Sequence, residues 1–308
     1  MTVLRPYQTA LLESCRAAVR AGARSLCVVL PTGGGKTAVM SEIMRGAVAK
    51  GRRCLVAVHR VELVDQMVAA LAHNGVAAGA LSPRAQSAAN HFAPVQVATI
   101  QTLIARELRP LADIVVPDEF HHYCTEEWRI VLEYYRRGAL ILGPTATPER
   151  SDGVGLGAIA DTLVVGARAS ELIAAGFLVA PRILRPAAPL KPHQIAQRPV
   201  DAYVNHGSGR KAIVFVSRVA QALKAMQEFR IARLGAEMVT ADTPWADRRA
   251  AFAKIREGRL DALIGVGVFT EGFDLVEIDC VILSRAFSTT GAYLQAAGRG
   301  LRPAPGKS

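Results

Sequence analysis

Aromatic side chains are scarce, making up 6% of the 308 residues. A polyanion bound to this chain is therefore held by its phosphates more than by stacked bases. No apolar run approaches the roughly 18 residues that a bilayer span needs. The opening MTVLRPYQTALLE lacks the apolar core of a secretory signal. The five cysteines, Cys15, Cys27, Cys54, Cys124 and Cys280, are scattered, with no C-x-x-C pair. This spacing argues for free thiols in a reducing, cytoplasmic compartment. Acidic residues are outnumbered, 26 against 37 basic ones, for a net charge of +11. The first 150 residues carry +5 and the rest +6. That distribution is what a polyanion touching both halves would lead one to expect, and plain solubility accounts for it equally.

What is present begins with a globular composition, 51% hydrophobic and 20% charged, long enough for two domains. The organising stretch is SLCVVLPTGGGKT, residues 25–37. Leu26 to Leu30 reads as a short buried strand that Pro31 ends. Thr32, Gly33, Gly34 and Gly35 then form a loop whose backbone N–H groups can surround an anion. Lys36 and Thr37 start a helix, so its positive end faces the same anion. In a phosphate-binding loop of this kind Lys36 reaches the β- and γ-phosphates, and the Thr37 hydroxyl takes Mg²⁺. One departure stands out, because the generic motif has Gly where this chain has Leu30.

Upstream, Arg5-Pro6-Tyr7-Gln8 opens a helix with proline in its first turn, and the Gln8 amide offers both a donor and an acceptor to a base. Downstream, Cys54 to Val58 reads as a strand with His59-Arg60 at its end. A helix from Glu62 to about Ala72 follows. Val95 to Ala98 is a strand ending in Thr99-Ile100-Gln101. Carboxyl ends of strands in an open α/β sheet line the ligand crevice, which makes Arg60 and Thr99 candidate contacts for a second ligand. Asp113 to Val116 is a strand running into Pro117-Asp118-Glu119-Phe120-His121-His122. Two adjacent acids at a buried strand end are costly unless they have work to do. Beside a phosphate loop, Asp118 holds Mg²⁺ and Glu119 orients and deprotonates a water. A zinc site from His121, His122 and Cys124 lacks a second ligand cluster. Ala139 to Leu142 is a further strand, followed by Gly143-Pro144-Thr145-Ala146-Thr147-Pro148. The order of elements predicts a doubly wound parallel sheet.

Prolines at 181, 186, 189, 192 and 199 mark residues 181–199 as a linker between a domain at 1–180 and a second α/β domain at 200–308. In the second, strands are read at Ala212 to Val216, Glu237 to Val239, Leu260 to Val266 and Cys280 to Leu283. Helices are read at Val219 to Phe229, from Thr243-Pro244 to Arg256, and at Gly291 to Ala297.

In this order the set resembles a superfamily 2 helicase core. More narrowly, it is similar to the DExH DNA helicases of the phage and DNA-repair type, relatives of restriction-enzyme motor subunits. The residues that carry the resemblance are Arg5 to Gln8, Leu30 to Thr37, His59-Arg60, Thr99 to Gln101, Asp118 to His122 and Thr145 to Pro148. The second half adds Ile213-Val214-Phe215, Thr270 to Asp274, and Gln295, Gly298, Arg299 and Arg302. In that family Leu is common at the position of Leu30. The resemblance implies two tandem RecA-like domains with an ATP cleft between them, and an ATPase that moves along DNA. It makes Gln8 the adenine reader, Gly272 and Asp274 nucleotide contacts from the second domain, and Arg299 and Arg302 arginine fingers. Thr145 and Thr147 couple hydrolysis to closure, and His121 hydrogen-bonds Gln295 across the cleft. Arg60, Thr99, Phe215, Ser217 and Thr270 fall near the nucleic-acid strand. An RNA helicase, and a nucleic-acid-binding module with an impaired motor, are the alternative readings.

Two further expectations follow. Pro117 stands where the family has an apolar residue with an N–H; at the last strand position it is harmless, whereas inside the strand it would displace Asp118. The family also continues past RPAPGK with another strand and helix, so the second sheet is expected to expose an edge and to be weakly stable, oligomeric or truncated.

Overall fold

The computed structural model describes residues 3–82, 92–148, 155–184, 198–269, 275–304 and 307. The chain forms two compact units, Met1–Glu171 and Leu172–Ser308. Among the described residues no helix is long and apolar enough to cross a membrane.

The first unit begins with α1 (Pro6–Arg20), β1 (Ser25–Val29), α2 (Lys36–Val48), β2 (Cys54–Val58), α3 (Val61–His73) and β3 (Ala78–Leu81). It continues with β4 (Val95–Thr99), α4 (Ile100–Ala105), β5 (Ile114–Pro117), α5 (Glu126–Arg136), β6 (Leu140–Thr145) and β7 (Thr162–Val165), and α6 (Ala169–Ala174) spans the division. The sheet runs β3-β4-β2-β5-β6-β1-β7, and every pair is parallel. Strand residues alternate between two faces, so each face builds its own core. Leu26 and Val28 join Leu11, Val39 and Met44 beneath α1, α2 and α3. Cys27 joins Leu55, Phe120, Tyr123 and Val131 on the other side.

Four elements of this unit, β3, α4, α5 and β7, were not anticipated from the sequence. β3 reads AGAL and has too little branched side chain to announce a strand. β7 has only four residues and sits at the sheet edge with Leu163 and Val165 exposed. α5 reads EEWRIVLEYYR, and its buried stripe of Val131, Leu132 and Tyr135 is thin beside its charges.

Because all strands are parallel, their carboxyl ends share one edge. The register pairs Val29 with Thr145, Ala57 with Pro117 and Val58 with Thr99, so the loops after β1, β2, β4, β5 and β6 emerge together. Pro117 is the last residue of β5, and the Asp118 N–H still donates to Ala57 O at 2.9 Å. Ladder alternation turns the missing proline N–H toward β6, where pairing has already ended at Val115 and Ile141. The proline therefore leaves the acid pair in register.

The second unit contains α7 (Pro199–His206), β8 (Ala212–Val216), α8 (Val219–Ile231), β9 (Ala236–Thr240), α9 (Trp245–Arg256), β10 (Ala262–Val266), β11 (Cys280–Leu283) and α10 (Thr290–Ala297). Its parallel strands run β11-β8-β10-β9. Pro199, read above as the last linker residue, instead opens α7, where a missing N–H costs nothing; most of the expected linker lies outside the described residues. β11 is an edge strand among the described residues, and all four of its residues are half-buried.

A candidate nucleotide site at the sheet edge

The loop after β1 is shaped by three glycines with different tasks. Gly33 and Gly35 adopt φ of 82° and 86°, the left-handed region that L side chains rarely enter. Gly34 is a matter of space, since a Cβ there would sit 2.8 Å from Leu30 Cγ. Leu30 is fully buried beneath the loop, and this packing accounts for Leu where the generic motif has Gly. Gly35 caps α2, so Lys36 and Thr37 form its first turn, with Lys36 half-buried and Thr37 exposed. Thr32 and Gly33 are half-buried at the loop's rim.

Gln8 and Tyr7 brace this loop from α1. Gly34 O accepts from Tyr7 Oη at 2.9 Å and from Gln8 Nε2 at 3.0 Å. Gln8 Oε1 accepts from the Arg5 N–H at 2.9 Å. In this structure both polar ends of the Gln8 amide therefore serve the loop and the helix start. Tyr7, named above only as part of the Arg5–Gln8 stretch, had no role assigned from sequence, because a tyrosine in a first helical turn does not announce what it will bond.

The acid pair follows β5 and faces the loop after β1 across the end of β6, the strand between them. Glu119 Oε1 lies 3.5 Å from Lys36 Nζ, and Glu119 Oε2 lies 3.7 Å from His121 Nδ1. His121 Nδ1 also meets Thr145 Oγ1 at 3.0 Å. Thr145 Oγ1 donates to Thr147 O at 2.8 Å and accepts from the Thr147 N–H at 3.2 Å. Lys36, Glu119, His121, Thr145 and Thr147 thus form one connected polar set. Glu119 itself is held at φ 49°, ψ 63°, a conformation that costs a non-glycine residue of order 1 kcal/mol. Burial pushes the Asp118 carboxyl up to about 6, with the Glu119 charge adding to the rise and Lys36 and His59 opposing it. Such a pair is short of positive charge. Together with an exposed threonine hydroxyl at the helix start it fits a divalent cation held by Thr37 and Asp118.

The remaining predicted residues separate. Arg60 is half-buried and caps α3 at the end of β2. Thr99 is buried, and its hydroxyl accepts from the Thr102 N–H at 3.2 Å and meets Thr102 Oγ1 at 2.7 Å. It caps α4 and offers no outward hydroxyl. Phe215 corrects its assignment to the strand-binding surface: it is 1% exposed and packs with Phe269 and Phe287 in the second core, because β8 is central and both its faces are covered. Ser217 is exposed just beyond β8, and its N–H donates to Gln221 Oε1 at 3.0 Å. Gln295 and Arg299 are buried in the second unit, and Arg302 is half-buried. Arg299 lies in a 3-10 turn, Gly298–Gly300, that continues α10. Thr270, Gly272 and Asp274 lie outside the described residues.

Comparison with known proteins adds to this geometry. The family model described as the type III restriction enzyme res subunit matches residues 1–150. The helicase conserved C-terminal domain matches residues 196–304. The chain is 28% identical over 337 aligned residues to the protein described as putative mitochondrial ATP-dependent helicase irc3 of Schizosaccharomyces pombe, covering 99% of this chain and 56% of that one. Among solved structures, a fragment of a putative HsdR subunit of a type I restriction enzyme from Vibrio vulnificus superposes with a TM-score of 0.73 at 21% identity, covering 98% of this chain and 61% of that one. The type ISP restriction-modification enzyme LlaBIII, solved bound to DNA, gives a TM-score of 0.75 at 16% identity, covering 99% of this chain and 27% of that one. The chain thus spans about half the length of the first curated relative it matches. Two matched models in tandem, two parallel sheets and a glycine loop set against an acid pair agree on one conclusion: the chain belongs to the superfamily 2 helicase cores, on the branch related to restriction-enzyme motor subunits.

Proposed function

We propose that this chain is an ATP-dependent DNA translocase or helicase motor whose hydrolysis is stimulated by nucleic acid. The observation that carries the reading is the approach of Lys36 Nζ to Glu119 Oε1 at 3.5 Å, with His121 joining that carboxylate to Thr145. A cation for phosphate, a base for water and a link to the next strand end are thereby gathered at one crevice.

The residues divide the work. Thr32 to Gly35 cradle the phosphates with backbone N–H groups, and Lys36 neutralises the β- and γ-phosphates. Phosphate oxygens compete for Lys36, and drawing it away leaves the Glu119 carboxylate free to accept the proton of the attacking water. The water oxygen bonds to the γ-phosphorus, the bond to the β-phosphate oxygen breaks, and ADP and phosphate leave. Thr37 and Asp118 would hold Mg²⁺, which when bound offsets phosphate charge. Arg299 and Arg302 of the second unit, with Gly272 and Asp274, supply the remaining nucleotide contacts in this reading, and Gln8 supports adenine recognition. Thr145, Thr147, His121 and Gln295 link hydrolysis to movement. Arg60, Ser217 and Thr270 hold the strand, and the excess of positive charge on both halves supports a polyanion partner.

DNA is favoured over RNA by the Asp-Glu-Phe-His form of the acid motif and by the resemblance of the motif set to the DExH DNA helicases. The test is ATP turnover by the purified chain with single-stranded DNA, duplex DNA, RNA or no polymer. Stimulation by DNA, lost in Lys36→Ala, is expected. Nucleic-acid binding with no stimulated hydrolysis by any polymer would select a binding module instead. Retained turnover in Lys36→Ala would refute the site.

A further inference from the structure

His59, His122 and His121 lie ring against ring beside the acid pair, and only one of them has a task in the reading above. His59 follows β2; its ring nitrogens are both out of solvent contact, and its carbonyl accepts from Gln101 Nε2 at 3.2 Å. Its ring tilts against His122, with centroids 5.2 Å apart. His122 tilts in turn against His121 at 4.3 Å, and Trp128 meets His122 edge-on at 5.7 Å. Trp128 is itself set against Tyr123 at 5.2 Å, whose hydroxyl donates to Ala57 O at 2.8 Å. The His122 ring is therefore bounded by His59, His121 and Trp128.

Each end of this row is attached to something functional. At one end, His59 adjoins Arg60 and is tied to Gln101, so it sits where β2 and β4 finish. At the other, His121 holds Thr145 at 3.0 Å beside Glu119. The backbone joins in as well, because the His122 N–H donates to Glu119 O at 3.0 Å. That bond closes the turn which keeps Glu119 in its left-handed conformation. The rings are half-buried and His122 borders an open hollow beside Trp128, but with centroids 5.2 and 4.3 Å apart a ring driven toward its neighbour presses on it. Displacement of His59 is thus passed through His122 to the turn carrying the base, where a misplacement of about 1 Å can cost on the order of a hundredfold in rate.

We propose that His59 and His122 are positioning residues that transmit nucleic-acid binding at the ends of β2 and β4 to Glu119 and Thr145, switching hydrolysis on. The inference rests on the ATP-driven motor reading and adds to it the route of stimulation. The coupling is steric, through neighbouring tilted rings.

The test measures ATP turnover of the full chain with and without saturating oligo-dT, for the wild type, His59→Ala, His122→Ala, His122→Phe and the double alanine variant. Fluorescence anisotropy of the labelled oligonucleotide is followed in parallel. Both alanine variants are expected to keep polymer-free turnover, the KM for ATP and oligonucleotide affinity within about twofold, while stimulated kcat falls about tenfold, a size usual for side chains on a coupling route. His122→Phe keeps a ring in place and restores most of the stimulation. The double variant is no worse than either single one, because both break the same row. Wild-type-like stimulation in the alanine variants overturns the inference, and so does an equal loss of basal and stimulated rates, which marks a merely structural role. Failure of His122→Phe to restore stimulation overturns the stacking route. A wild type that no polymer stimulates overturns the motor reading itself, and this inference with it.

Discussion

Gly143 is the residue whose substitution tests the site most directly without touching a polar group. It lies in β6 opposite Cys27 of β1, and the Phe120 ring lies against it. A Cβ at Gly143 would fall 2.1, 2.3 and 2.4 Å from three carbons of that ring, where carbon contacts need about 3.5–4.0 Å. Phe120 is completely buried, so the ring has no solvent to retreat into and must move by about 1.5 Å to accommodate one methyl group. Overpacking of this kind costs about 1–3 kcal/mol, a fall of about 3–10 °C in melting temperature for a unit of this size. Phe120 is also the residue after Glu119, so moving the ring moves the base. Turnover is expected to fall ten- to a hundredfold, on the order of what a misplacement of about 1 Å costs, with ATP binding little changed because the glycine loop is built on a different strand end. Differential scanning fluorimetry, with kcat and KM measured on the same preparation, reads both effects. Gly138→Ala is the control, since no atom lies within 4 Å of a Cβ there, and its melt is expected to stay within about 0.5 kcal/mol of the parent. A Gly143→Ala variant with parental melting and parental turnover would refute the claim that moving the Phe120 ring moves Glu119.

Other perturbations follow from the same packing. Leu30→Ala removes a fully buried side chain beneath Gly34; about 2–5 kcal/mol of destabilisation and weaker ATP binding are expected, and binding unchanged in a nucleotide titration would contradict the role of Leu30 as the loop's support. Gly46→Ala places a methyl group in open space within α2, and a gain of about 0.5–1 kcal/mol in a urea melt is expected. Burial pushes the thiols of Cys27 and Cys54 up to about 12 and those of Cys15 and Cys280 up to about 11. At pH 8 each of these is a thiolate in about one molecule in a thousand or fewer, so iodoacetamide is expected to label half-buried Cys124 first, as peptide mapping would show. Unfolding releases thiols with lower pKa values, so the folded state loses ground as pH rises above about 9. Early labelling of Cys27 or Cys54 would contradict the central placement of β1 and β2.

The sequence by itself determined the parts whose physics is local. Glycines before Lys36-Thr37 specify a phosphate loop because only they reach the backbone angles seen at Gly33 and Gly35. Alternating helices and branched apolar runs specify a parallel sheet, because a parallel connection needs a crossover. Charge and cysteine spacing likewise need no neighbours to be read. Only the tertiary structure decided which residues meet. Phe215 looked like a surface contact until β8 proved central and covered on both faces. Thr99 is spent on capping α4, and Gln8 is tied to the loop. Gly143 and Phe120 are far apart in the chain, so nothing in either segment announces their contact. The histidine row joins β2 to the turn after β5 for the same reason: strand order brings together residues that chain order keeps apart.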